Sequence, residues 1–310
     1  MNNINELFGF PSHIISRDSK LFWDTKSCPF TGCSCTKINH DNSLVYGTCS
    51  LSSKEGDVII CPNRLYAEEY KVLRTVSFDV FGDKPFFNFN QYLEARRINS
   101  NIISDDKGFV IALGHNSGKE IKTGRQMSMD WVLVYANSDG IVSYTGVEVQ
   151  SIDITGNYRD NWHYYRKWKE DGSRPVAEKP SSNHGYNWAN VHKRLIPQLI
   201  RKGLIYSRSS MVARGLSFVL PDIVYCRFEE ILGSNEFLAP DINASDTLTV
   251  YTYALDDFDG HSIRSLRLVR KIHIRLSEFS ERFVSGPNLP SGEILDSAVS
   301  GALGLKFIQK

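Results

Sequence analysis

Two acidic residues, Asp130 and Glu148, lie at equal sequence distance from Asp139 in the turn-forming stretch NSDG (137–140). The flanking runs, DWVLVYA (130–136) and IVSYTGVEVQ (141–150), are rich in β-branched and aromatic residues and read as two strands of a hairpin. Antiparallel pairing about Asp139 would set Asp130 opposite Glu148 at the open end, with Gly146 as a place where a bulge could slip the register. Gln150, two residues beyond Glu148, shares its face. Adjacent carboxylates raise one another's pKa unless a cation sits between them. Mg²⁺ suits oxygen ligands, lowers the pKa of a bound water and stabilises charge on a phosphate in transfer. Glu120, in GHNSGKE, could add a third carboxylate. Acidic residues at strand ends are more often simply solvated. Glu148, however, sits within VEVQ, a run expected to be buried, where a carboxylate without a partner is costly.

A second group able to do chemistry is the cysteines, five of the six lying between Cys28 and Cys61. The first twenty residues lack the basic start and apolar run of a secretory signal, and no stretch is apolar enough to span a bilayer. The expected compartment is therefore the reducing cytoplasm, where clustered cysteines indicate metal before disulfide. Four thiolates would form a tetrahedral site for zinc or iron, with no position left for water and hence a structural role. The alternative is a set of unrelated reduced cysteines. Cys226 is remote and reads as a small core residue.

The elements that must position these groups are legible in outline. FVIAL (109–113) reads as a strand before the hairpin, and PFFNFNQYLEARRINSNIIS (85–104) has a helical centre. Residues 171–187 read as a loop. NWANVHKRLIPQLIRKG (187–203) carries an apolar stripe at helical spacing, with Pro197 marking a kink or a start. Residues 211–231 predict a strand and the start of a helix, and DTLTVYTYALDD (246–257) a central strand. LRLVRKIHIRL (266–276) predicts an alternating strand with a basic face, followed by a helix. Residues 1–70 look irregular. Strands mixed with helices give an α/β or α+β fold with a mixed sheet. A chain of 310 residues suffices for one large domain or two smaller ones, and its net charge of +1 argues against a tail-driven nucleic-acid binder without excluding a nuclease.

Together these segments resemble the NotI family of type II restriction endonucleases, within the PD-(D/E)XK nuclease superfamily. The blocks that carry the resemblance are CPF (28–30), SCTK (34–37), GTC (47–49), CPNR (61–64), GKE (118–120), MDW (129–131), VEVQSIDITGNY (147–158), NVHKR (190–194) and the basic strand with its helix (268–284). The resemblance implies a PD-(D/E)XK core at 76–310 with a mixed central sheet flanked by helices, and a four-cysteine metal segment at 1–75. It implies Asp130 and Glu148 as ligands of catalytic Mg²⁺, Glu120 as an additional acidic residue, and Gln150 where most of the superfamily has lysine. It implies Cys28, Cys35, Cys49 and Cys61 as the ligands of a metal, with iron favoured over zinc. The extra Cys33 leaves open which of Cys33 and Cys35 serves. The expected partners are double-stranded DNA and a second copy of the chain, with no membrane.

For DNA contact the sequence offers residues 159–202, with ten Lys/Arg, four Asp/Glu and the interleaved aromatics of WHYYRKWK (162–169). The bland reading is a solvated surface, and the basic face of 266–276 has the same two readings. Arg64, Arg96 and Arg97 are of a type that reads guanine. Two other functions compete: a metal-containing DNA-binding protein without catalysis, and a repair or mobility nuclease of the same superfamily. A redox enzyme is disfavoured, because no flavin or nicotinamide fingerprint accompanies the cysteines and GHNSGKE lacks phosphate-loop spacing.

Overall fold

A computed structural model describes residues 3–39, 41–98, 107–114, 117–123, 127–171, 181–233, 237–258, 263–286 and 289–307. The middle of the predicted 171–187 loop and the end of the 85–104 segment fall outside them.

Residues 1–70 are more ordered than their Ser- and Asn-rich composition suggests. Strands β1 (Asn3–Leu7) and β2 (Phe10–Pro11) precede helix α1 (Arg17–Thr25), and β3 (Thr48–Ser53) and β4 (Gly56–Ile59) complete a sheet of order β2-β1-β3-β4. Ser16 caps α1 reciprocally with Ser19. The inward residues of β1 and β3 include Glu6, Thr48 and Ser50, all fully buried, so the core-facing pattern is partly polar and the period-2 apolar signal is lost. Glu6 is held by Arg64 at 3.0 Å and by the Ser50 hydroxyl at 2.7 Å.

A 3-10 turn (Pro62–Tyr66) leads to α2 (Ala67–Phe81), so a boundary at 75/76 would cut a helix. The central sheet has the order β15-β14-β13-β10-β9-β6-β5. Its strands, with the elements between them, are β5 (Phe86–Asn88), α3 (Phe89–Arg97), β6 (Phe109–Gly114), β7 (Ile121–Thr123) and β8 (Met127–Met129), a side hairpin, then β9 (Trp131–Asn137) and β10 (Gly140–Val149). A second side hairpin, β11 (Ile154–Asn157) with β12 (Asn183–Tyr186), encloses α4 (Arg159–Asp171) in sequence. Then come α5 (Trp188–Asn190), a π turn (Val191–Leu195), α6 (Ile196–Tyr206), β13 (Val212–Pro221), α7 (Asp222–Leu232), β14 (Thr247–Leu255), β15 (Leu266–Arg275), α8 (Leu276–Ser285) and α9 (Gly292–Leu303). β10, β13 and β14 run parallel, while β9 and β15 run antiparallel to their neighbours, giving the mixed sheet expected.

The two faces of the sheet bury different sets. Trp131, Leu133, Val147 and Val149 pack with Val72 and Val76 of α2 on one face. Val132, Val134 and Phe218 pack with Leu199 and Tyr206 of α6 and Phe279 of α8 on the other. Strand alternation puts Asp130 and Glu148 on the α6 face. Pro197 stands in the first turn of α6, where a missing N–H costs least. The π turn precedes it, with the Ile196 N–H donating to Val191 five residues back.

Candidate active site

The hairpin tip is closed by an Asx-type turn, in which the Asn137 side-chain oxygen accepts from the N–H of Asp139 (3.0 Å) and of Gly140 (3.2 Å). Pairing begins with Gly140 opposite Asn137 and Ile141 opposite Ala136, but then Ser143 faces Tyr135, leaving Val142 as one extra residue on β10. The shifted register continues to Val147 opposite Trp131, so the next pair is Glu148 with Asp130. The slip considered at Gly146 between these two strands thus lies at Val142. Gly146 marks an irregularity against β13 instead. Gly146 has another use: a Cβ there would lie 2.2 Å from the Tyr206 ring, so glycine lets α6 seat directly on β10.

Each carboxylate is tied to the other's strand. The Asp130 N–H donates to Glu148 Oε1 at 3.3 Å, and the Val149 N–H donates to Asp130 Oδ2 at 3.0 Å. Lys202, one helical turn before Tyr206, puts its ammonium in hydrogen-bond contact with Glu148 Oε2 and 3.8 Å from Asp130 Oδ1. Burial, and then the charge of Asp130, push the Glu148 carboxyl up to about 8 despite that ammonium. The Gln150 N–H is fixed to Val219 O of β13 at 2.9 Å. Gln150, Asp130, Gln198, Arg201, Lys202 and the β8 residues Met127 and Ser128 line a cleft of about 330 Å³. A second hollow of about 260 Å³ shares Gln150 and Gln198 and adds Asn187, Asn190 and Arg194, so polar lining continues from the cleft beside Asp130. Glu120, preceding β7, is turned to the Ser128 hydroxyl and to Lys122 at 3.0 Å.

Of the four residues that the sequence singles out, the fold brings Asp130, Glu148 and Gln150 together, whereas Glu120 is engaged by Ser128 and Lys122. Sequence reasoning missed Lys202, whose spacing to Gln198 and Arg194 is helical and was itself a usable signal.

The cysteines converge without forming a closed site. Cys28, Cys49 and Cys61 are buried, Cys35 is partly buried, and Cys33 is exposed. Burial raises the thiol of Cys35, lifts that of Cys61 to about 11 and lifts that of Cys49 well above the ordinary range; for Cys49 the nearby Cys61, Glu6, Cys35 and Cys28 add to it. Among the described residues, however, no group of three or more Cys, His, Asp or Glu could hold a metal ion. The expected iron or zinc centre is therefore not supported by this arrangement.

Several expected DNA contacts are structural instead. Trp162 and Tyr165 of WHYYRKWK are buried, Trp162 stacking on Trp23 at 5.7 Å, and Lys169 donates to Ile14 O. Arg64 is wholly buried on Glu6 and cannot read a base. On β15, Arg267, Arg270 and Lys271 pair with Asp256, with Asp222 and Glu229, and with Asp79. Arg96 and Arg97 stay exposed on α3, with Arg97 on Glu94. Among the described residues no helix is long and apolar enough to cross a membrane.

The model for the restriction endonuclease NotI family matches residues 24–213, more than half of the chain and all of the residues lining the cleft beside Asp130. The chain belongs to the NotI restriction endonuclease family. No curated protein matches it. The family consists of type II restriction endonucleases, site-specific deoxyribonucleases acting on double-stranded DNA, and in this NotI-family chain Asp130 of MDW and Gln150 of VEVQ line one cleft.

Proposed function

We propose that this NotI-family chain is a type II restriction endonuclease that hydrolyses phosphodiester bonds at a palindromic site in double-stranded DNA, using Mg²⁺ held by Asp130 and Glu148. The supporting observation is the cross-strand pairing of these carboxylates, with Asp130 lining a polar cleft and Glu148 buried directly behind it. Their donor set fits a hard divalent ion: two adjacent carboxyl groups, one deeply buried, that offer hard oxygen ligands. When bound, Mg²⁺ supplies Lewis acidity toward the phosphate and lowers the pKa of water.

The chain's own groups do the rest. Asp130 and Glu148 anchor the ion. Gln150, neutral at every working pH, donates through its amide nitrogen and accepts through its oxygen, so it can orient the attacking water without exchanging a proton. Arg201 offers a planar donor pair to non-bridging phosphate oxygens. Glu120 completes the acidic set from the neighbouring hairpin. The water oxygen attacks phosphorus in line with the departing oxygen, and positioning accounts for much of the rate. Two copies related by a two-fold axis would present one such centre to each strand of a palindrome.

Plasmid cleavage in Mg²⁺ tests the reading. Glu148→Ala should lose activity by at least about a hundredfold, the scale of removing a preorganised electrostatic group; near-normal cutting by that variant would remove the proposal. Phage DNA should give discrete bands. A mobility shift without cutting would mean a binding protein, and smears or nicks a repair-type nuclease.

For the cysteines we propose that Cys28, Cys35, Cys49 and Cys61, with Cys35 in preference to the exposed Cys33, close around one iron or zinc ion. The softness of four thiols suits such an ion, and binding would have to draw them together beyond the arrangement described, which among the described residues holds no metal-binding group.

A further inference from the structure

We propose that Lys202 supplies, from helix α6, the ammonium group that the catalytic strand lacks, and that it is a catalytic residue of the centre. The inference rests on the nuclease reading above and deepens it. Position 150, two residues beyond Glu148 on the same face of the chain, carries a neutral amide. The positive charge beside the carboxylates arrives instead from across the groove. Lys202 contacts Glu148, lies 3.8 Å from Asp130 and lines the same cleft as Gln150. Among the described residues, no other side chain is ion-paired with either carboxylate.

The placement is built rather than incidental. The Lys202 side chain is only 12% exposed. Its helix is seated by Tyr206 against the open Cα of Gly146, two residues before Glu148. The π turn and Pro197 set the start of that helix, and Gln198, one turn before Lys202, reaches the same cleft. A flexible surface lysine would need none of this. The strand position and the helix position therefore open onto one volume, and an ammonium delivered from either would meet the same phosphate. Its role is charge: a protonated lysine beside the reacting phosphate stabilises negative charge as it builds on the non-bridging oxygens, and gives up no proton. A counter-ion that only neutralised Asp130 and Glu148 would become dispensable at saturating Mg²⁺.

The test is a swap. Lys202→Gln should lower kcat by about 10² to 10³ at saturating Mg²⁺, the usual cost of one preorganised charge-stabilising group, with KM changed by less than about threefold. Adding Gln150→Lys to Lys202→Gln should recover at least tenfold of that loss (about 1.4 kcal/mol). In EDTA, where no cleavage occurs, Lys202→Gln should melt below the wild type and the double variant should regain the difference. DNA affinity in EDTA, by fluorescence anisotropy, should stay within about threefold throughout. Wild-type kcat in Lys202→Gln overturns the proposal, as does a loss that Gln150→Lys leaves unrelieved. Glu148→Gln separates the two levels: if it cleaves normally, the nuclease reading itself fails, whereas an inactive Glu148→Gln beside an active Lys202→Gln removes only the role of Lys202.

Discussion

Glu148 is the residue on which the proposed chemistry turns, and its carboxyl is raised to about 8 by burial and by the charge of Asp130. The sign of the consequence follows from linkage. A carboxyl raised above its unfolded value of 4.5 binds more protons folded than unfolded between those limits, so the metal-free protein loses stability as pH rises from about 4.5 to about 8. At about 1.4 kcal/mol per pH unit the slope should be measurable by chemical denaturation in EDTA, and Glu148→Gln should flatten it. A divalent ion needs the ionised carboxylate, so Mg²⁺ affinity should climb up to tenfold per unit over the same window and level off above it. Calorimetric titration at several pH values checks this, and a flat profile would mean that the ion is held elsewhere. The pair itself was legible in sequence from its equal distance to Asp139, although the tip turn alone would set Val147 opposite Asp130 and the extra Val142 restores the register. For Lys202 the helical spacing was legible but its target was not, since its contact joins residues fifty-four apart through the packing of a helix on a sheet.

Among the elements, the N-terminal sheet is joined to the rest by a buried charge pair. Arg64 contacts Glu6 at 3.0 Å with neither side chain exposed, and it also donates to Arg264 O, between β14 and β15. Removing one partner strands the other in the interior. Arg64→Ala should therefore destabilise by about 3–5 kcal/mol in equilibrium unfolding, and replacing both with Leu and Met of similar bulk should cost much less. The sheet was invisible in the sequence for the same reason: Glu6, Thr48 and Ser50 occupy inward positions that composition assigns to loops. The central strands were legible because apolar residues, Val and Leu above all, occupy both of their faces. The aromatics of α4 were misleading, since Trp162 and Tyr165 serve the core against α1 and β1 rather than a ligand. At this scale too lies the cysteine cluster: elemental analysis of purified protein should find one iron or zinc per chain, and its absence would return the thiols to ordinary core packing.

For the whole molecule, a single chain presents one carboxylate pair among the described residues, and cutting both strands of a palindrome requires two. Sedimentation should give twice the chain mass of 35.2 kDa, with or without DNA; a monomer under both conditions would oppose the assembly proposed. The molecule also has an unusual vulnerability. Loop tips ordinarily absorb insertions and deletions at little cost. Here Val142 sits near such a tip, about 20 Å from Glu148 at the usual rise per strand residue. With that one amino acid gone and the turn unchanged, Val147 would face Asp130 and Glu148 would fall opposite Met129. Every acidic group would still be present in the chain, yet they would look to opposite sides of the sheet. The hairpin thus works as a frame: its parity sets which face each carboxylate takes, and its exact length sets whether they meet.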